Sequence, residues 1–128
     1  MLKYKLIERA NPRDPQAPKK VYATPVLNGK KDLKAIGIDI VEKSSLTRGD
    51  VNNTLDNLVD QVPKYLLDGQ SVNLGDLGTL RISFSSEGVE SEEDFHTSKI
   101  KNVKLIFTPG KELKKKLRDA SFDKVNNI

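Results

Sequence analysis

The opening residues alternate: Leu2, Tyr4 and Leu6 are interleaved with Lys3 and Lys5. A period of two predicts a half-buried strand. Pro12, Pro15 and Pro18 punctuate residues 10–19, which excludes a helix interior or a central strand there. Residues 20–27 are β-prone again and end at the turn signal Asn28-Gly29, while Pro25 suits an edge or irregular position. The period then changes. Behind a capping Asp32, the residues Leu33, Ile36, Gly37, Ile40 and Val41 share one helical face. Gly37 costs that helix about 1 kcal/mol against Ala, which a close approach of a second helix would rationalise. Ser44-Ser45 ends it. Thr47 with Asp50 resembles a capping box. Val51, Leu55, Leu58, Val59, Val62 and Leu66 then keep helical spacing up to the stop at Gly69. Pro63 inside this helix predicts a kink near residues 59–62.

Residues 72–84 read as a hairpin, with Gly75 and Gly78 at its turn. Leu80, Ile82 and Phe84 have one parity, and Arg81, Ser83 and Ser85 the other. Residues 85–98 hold five carboxylates and Gly88, the composition of a mobile loop. Residues 99–107 predict a strand with Val103, Leu105 and Phe107 towards the core. A last helix is expected to open on Thr108 as cap with Pro109 in its first position. It turns Leu113 and Leu117 inward and leaves Lys111, Lys114, Lys115, Lys116 and Arg118 in water. No internal repeat is visible.

With 36% apolar residues and no Trp among 128 residues, the core is thin enough to need completion by a partner subunit. There is no Cys, which excludes disulfides and thiolate metal sites. The net charge of +4 is unevenly spread. Residues 1–31 hold eight Lys/Arg against two Asp/Glu, residues 32–98 five against thirteen, and residues 99–128 nine against three. Basic ends of this kind attract phosphate, although Lys-rich surfaces also serve solubility alone. The first twelve residues hold no apolar stretch of signal-peptide or membrane-span length, so a cytoplasmic protein is expected.

The run Leu74-Gly75-Asp76-Leu77-Gly78-Thr79-Leu80-Arg81, the helical pair before it and Leu105-Ile106-Phe107-Thr108-Pro109-Gly110-Lys111-Glu112-Leu113 after it resemble the HU and integration-host-factor family of small architectural DNA-binding proteins. The resemblance covers roughly residues 31–120. Leu77 and Leu80 stand where the family's Gly-Phe-Gly-Thr-Phe turn has aromatics. It implies an α+β, HU-like (IHF-like) fold: a helical pair, an antiparallel β-saddle with an arm, and a C-terminal helix, in an intertwined dimer. Residues 1–30 would then be an N-terminal β extension with a Pro-rich loop, as in a longer HU-related subgroup. Residues 31–128 would be the HU-like DNA-binding domain, with its arm at about 85–98. Leu77, Leu80 and Phe107 would fall in a dimer core, together with Leu55, Leu58 and Val62 from the long helix.

The arm departs from the family. Where relatives carry an Arg-Asn-Pro segment whose proline wedges between base pairs, residues 86–96 hold neither proline nor basic residue. Five carboxylates gain nothing in a groove walled by phosphates, so an intercalating wedge is not expected, even with Phe95 nearby.

The resemblance implies duplex DNA as partner. Arg81 and Lys104 are candidates on the saddle, Lys99 and Lys101 at the base of the arm, and Lys111, Lys114, Lys115 and Arg118 on the last helix. Each could equally be an ordinary solvated charge. Lys3, Lys5, Arg9, Arg13, Lys19 and Lys20 have no counterpart in shorter family members and could hold phosphate or blunt a sheet edge. His96 is the only histidine, and Glu92-Glu93-Asp94 lacks the spacing of a calcium loop. No nucleophile–base pair, phosphate loop or dinucleotide fingerprint appears. The expectation is therefore a homodimeric, nucleoid-associated, non-enzymatic protein that binds and bends or compacts DNA without sequence specificity. It needs no cofactor or metal, takes no small-molecule substrate and has no membrane partner. The competing expectation is an HU fold turned to protein–protein contact or a structural role, its DNA binding weakened by the acidic arm.

Overall fold

The computed structural model describes residues 1–125; residues 126–128, the end of the expected 31–128 unit, lie outside the described residues. Two three-stranded sheets and a helical pair make up the fold. In the first sheet β1 (Leu2–Arg9) pairs antiparallel with β2 (Lys20–Val26), from Lys3 opposite Val26 to Arg9 opposite Lys20. Pro25 sits on β2, an edge strand, the position in a sheet that tolerates proline.

Helix α1 (Leu33–Glu42) starts where Asp32 Oδ1 accepts from the Ala35 amide at 2.8 Å. Helix α2 (Arg48–Leu67) starts where Thr47 Oγ1 accepts from the Asp50 amide at 3.1 Å. The second helix runs through Pro63 and ends with the Gln70 amide on the Tyr65 carbonyl at 3.0 Å. Gly37 is the contact point of the pair. A Cβ there would meet Asn52 Oδ1 at 3.1 Å and Leu55 Cδ1 at 3.6 Å, so the glycine lets the two backbones approach.

The second sheet has the order β3 (Val72–Asn73), β4 (Gly78–Ser86), β5 (Ile100–Pro109), all antiparallel. A 3₁₀ turn at Gly75–Leu77 links β3 to β4. The stretch between β4 and β5 holds two further 3₁₀ turns, Glu92–Asp94 and Thr97–Lys99. Ser91 Oγ donates to Asp94, and the Ser98 amide donates to His96 Nδ1, both across 3.1 Å.

Helix α3 (Lys111–Leu117) begins later than the sequence pattern suggests. Thr108 does not cap it and Pro109 is not its first residue. Both remain in the β5 ladder, opposite Thr79 and Gly78, and Gly110 is the cap. The ladder bonds hold Thr108 extended, and no side-chain hydrogen bond caps the helix start.

After α3 the chain returns to the first sheet. Strand β6 (Phe122–Lys124) runs parallel to β1, with Leu2 opposite Phe122 and Tyr4 opposite Lys124. Lys3 Nζ lies 2.6 Å from Asp123 Oδ2, and this hydrogen bond and charge hold the Asp123 carboxyl below its ordinary value. The sequence pattern had not indicated this strand.

Among the described residues only Val51 and Leu66 are buried large apolar side chains. Leu117, expected to face inward, is 60% exposed in the single chain, and Phe84 is 56% exposed.

Candidate nucleic-acid interface

Residues opposite each other in an antiparallel ladder point to the same side of the sheet. Leu80 opposes Phe107 and Ile82 opposes Leu105, making an apolar face. Arg81 opposes Ile106 and Ser83 opposes Lys104, making a polar one. Strict alternation would send Lys101 and Lys99 to the apolar face with Leu105. The ladder slips instead: Ser85 opposes Lys101, so β5 spends Asn102 and Val103 against the single residue Phe84. Asn102 adopts φ 58°, a left-handed conformation that Asn tolerates better than most residues. Its side-chain amide donates to Ser85 Oγ at 2.9 Å. This bulge inverts the phase of the strand. Arg81, Lys104, Lys101 and Lys99 thereby come to one face. The only sequence signal for it was an asparagine in an otherwise regular strand.

Glu87 lies at the end of that row. Lys101 Nζ donates to Glu87 Oε1, and Lys99 Nζ lies 3.6 Å from Oε2. One carboxylate thus holds two of the four cations. All three side chains are 39–52% exposed, so the pairing contributes about 1 kcal/mol or less. Arg81 and Lys104 have no carboxylate partner among the described residues.

The α3 candidates form a separate group. Lys111, Lys114 and Lys115 lie on the helix and Arg118 is its C-terminal cap. Lys115 pairs with Glu112 at 3.5 Å, and both are half exposed. Lys114 and Lys115 lie in the last turn, where positive charge also complements the helix dipole. Helix α3 packs on the Gly75–Leu77 turn, which ties the group to the second sheet.

The apolar positions expected in a dimer core are open. Leu58, Leu77 and Phe107 are 45%, 58% and 46% exposed, and Leu55, Val62 and Leu80 are partly covered.

Gly78 and Gly110 hold the turn against the start of α3. Gly78 has φ 143°, and a Cβ on it would overlap the Thr108 carbonyl and lie 2.9 Å from Phe107 Cε1. This explains the glycine of the G-x-x-G-T turn in terms of contact as well as dihedral.

A family model of an HU domain fused to a winged helix-turn-helix (wHTH), Ig or glycine-rich motif, HU-HIG, matches residues 1–124. The chain belongs to the HU-HIG family. The match includes β1, β2 and β6, so the N-terminal sheet lies inside the family's own pattern. The HU-HIG chain is also similar to a crystal structure from Bacteroides vulgatus, of a protein named for bacterial DNA binding. The two share a TM-score of 0.67 at 20% identity, over 97% of this chain and 48% of that one. The chain therefore spans about half the length of that relative. No curated protein sequence matches it. Among the described residues no helix is long and apolar enough to cross a membrane, and no group of three or more His, Cys, Asp or Glu could hold a metal.

Proposed function

We propose that this HU-HIG chain is a homodimeric architectural domain that holds duplex DNA by its phosphates and bends or compacts it. The observation that carries the reading is the bulge at Asn102, which gathers Arg81, Lys104, Lys101 and Lys99 on one face of β4–β5. Cations spread on a sheet face suit backbone contact rather than base readout. Lys111, Lys114, Lys115 and Arg118 would extend the contact along α3. Membership of an HU family and the name of the Bacteroides relative favour the same partner.

The dimer rests on the other face. Leu58, Leu77, Leu105 and Phe107 are each about half exposed in the single chain. Covering them would contribute about 1 kcal/mol apiece. Leu55, Val62 and Leu80 would complete the same core. The reading takes residues 31–128 as the DNA-binding unit, residues 1–30 as its extension and about 85–98 as its arm. It has no catalytic role for any residue, and its location is the cytoplasmic nucleoid.

A second reading is favoured by one observation. Glu87 occupies Lys99 and Lys101, and the arm beyond it adds Glu90, Glu92, Glu93 and Asp94. In this reading the HU fold serves protein contact and DNA binding is weak. Anisotropy of a labelled duplex of about 30 base pairs, titrated at two salt concentrations, separates the readings. The DNA reading expects log K to fall linearly with log salt, by about 0.9 per phosphate contact. Absence of binding at low salt by a folded dimer would select the second reading.

A further inference from the structure

The N-terminal sheet has two unlike faces. On β1 the residues Leu2, Tyr4 and Leu6 share one side, and the ladder sets Phe122, Pro25 and Ala23 opposite them. Apart from Lys124, which opposes Tyr4, and Glu8 near the end of β1, this side is apolar. The other side carries Lys3, Lys5, Ile7 and Arg9, with Thr24, Tyr22 and Lys20 opposite the last three. Lys3 is neutralised there by Asp123 at 2.6 Å. Lys5, Arg9 and Lys20 have no carboxylate within ion-pair distance among the described residues. Arg9 lies over the Tyr22 ring at 5.8 Å from its centroid, which steadies the guanidinium on the face. Glu8 belongs to the apolar side, opposite Val21.

We infer that Lys5, Arg9 and Lys20 on this face form a second phosphate-binding surface, which holds the backbone of the same duplex beyond the β4–β5 saddle. The inference rests on the DNA-binding reading above. Three considerations point to a polyanion. The cations share one face, so a single polyanion can meet them together. From Lys5 to Arg9 the face spans about 13 Å of strand, the axial length of about four base pairs. The sheet is joined to the rest of the chain twice, by residues 27–32 and by residues 118–121 ahead of β6. A duplex held by the saddle is therefore present near the sheet at high effective concentration. Tyr22 adds an aromatic ring beside the cations, whose edge can lie against a sugar.

The test compares the full chain with a triple variant, Lys5→Gln/Arg9→Gln/Lys20→Gln, in duplex binding across a salt series. Circular dichroism and thermal melting verify that the variant is folded. A charge-keeping variant, Lys5→Arg/Arg9→Lys/Lys20→Arg, separates charge from sheet geometry. The expected result is a log K against log salt slope shallower by about 2–3 in the Gln variant, since each lost phosphate contact removes about 0.9, and a wild-type slope in the charge-keeping variant. An unchanged slope in a folded Gln variant overturns the second surface and leaves the saddle reading standing. A loss shared by both variants assigns the effect to sheet geometry and also overturns it. If the unmodified chain binds no duplex at low salt, the DNA reading fails and this surface falls with it.

Discussion

The Gly110 amide donates to the Leu77 carbonyl across 2.9 Å, which locks the start of α3 onto the turn between β3 and β4. Gly110 has no room for a side chain there: a Cβ would overlap the Asp76 carbonyl and lie 3.3 Å from the Gly78 amide. The two glycine-bearing motifs, distant in sequence, are therefore one structural unit. That unit carries both Leu77 and the basic helix, so the apolar and the cationic surfaces are set by the same few backbone contacts.

Substituting Ala at Gly78 or at Gly110 should each cost at least about 2 kcal/mol, from overlap with backbone and, at Gly78, from the dihedral. Urea unfolding measures it as a lower midpoint. A midpoint within error of the parent would show that the turn relaxes freely.

Glu87→Gln should release Lys99 and Lys101 to solvent. If these cations meet phosphate, duplex affinity rises and the salt slope steepens by up to about 1.8. The pairing is exposed, so the melting temperature should hardly move. Unchanged affinity would remove the two lysines from the interface and leave Arg81 and Lys104.

Sedimentation velocity should find the protein at twice its 14.3 kDa chain mass at micromolar concentration. Leu77→Asp sets a charge on an apolar side chain that is 58% exposed in the single chain. It should yield a monomer or an unfolded chain, because a core shared between subunits links folding to association. A wild-type protein that stays monomeric would contradict the homodimer.

Lys3 holds the Asp123 carboxyl below its ordinary value, first through a hydrogen bond and then through charge. A carboxyl lowered by folding stabilises the fold above its unfolded value, and that contribution is lost as pH falls through the lowered one. Closure of β6 onto β1 should therefore weaken only in acid. Protection of the Leu2 amide, which donates to the Ser121 carbonyl at 2.8 Å, should fall below the ordinary carboxylate range when measured against the intrinsic exchange rate at each pH. Asp123→Asn should show the weak protection already at neutral pH. Equal exchange rates in parent and variant across that range would exclude the ion pair as the clasp.

The helical pair was legible because its signals are local. Asp32 and Thr47 cap the helices they precede in sequence, and the period of apolar residues chose the faces that hold Val51 and Leu66. Gly37, costly in an isolated helix, announced the close approach that the structure shows. The acidic stretch between β4 and β5 was also plain, as a matter of charge alone. Thr108 misled, since its capping chemistry is real but the ladder partner Thr79 holds it in a strand.

By itself the sequence determined the helical pair, the strands other than β6, the alternation on β1 and β4, the glycine motifs and the separation of charge along the chain. All of these depend on neighbours within a few residues. Tertiary structure alone decided which lysines share a face, because one extra residue at Asn102 inverts every side chain beyond it, and no period of two can report a slip. It alone brought Phe122 beside Leu2, since a short parallel pairing between the chain's two ends leaves no local trace. It also left Leu58, Leu77 and Phe107 uncovered by their own chain, since whether an apolar side chain meets a partner depends on where the fold directs it.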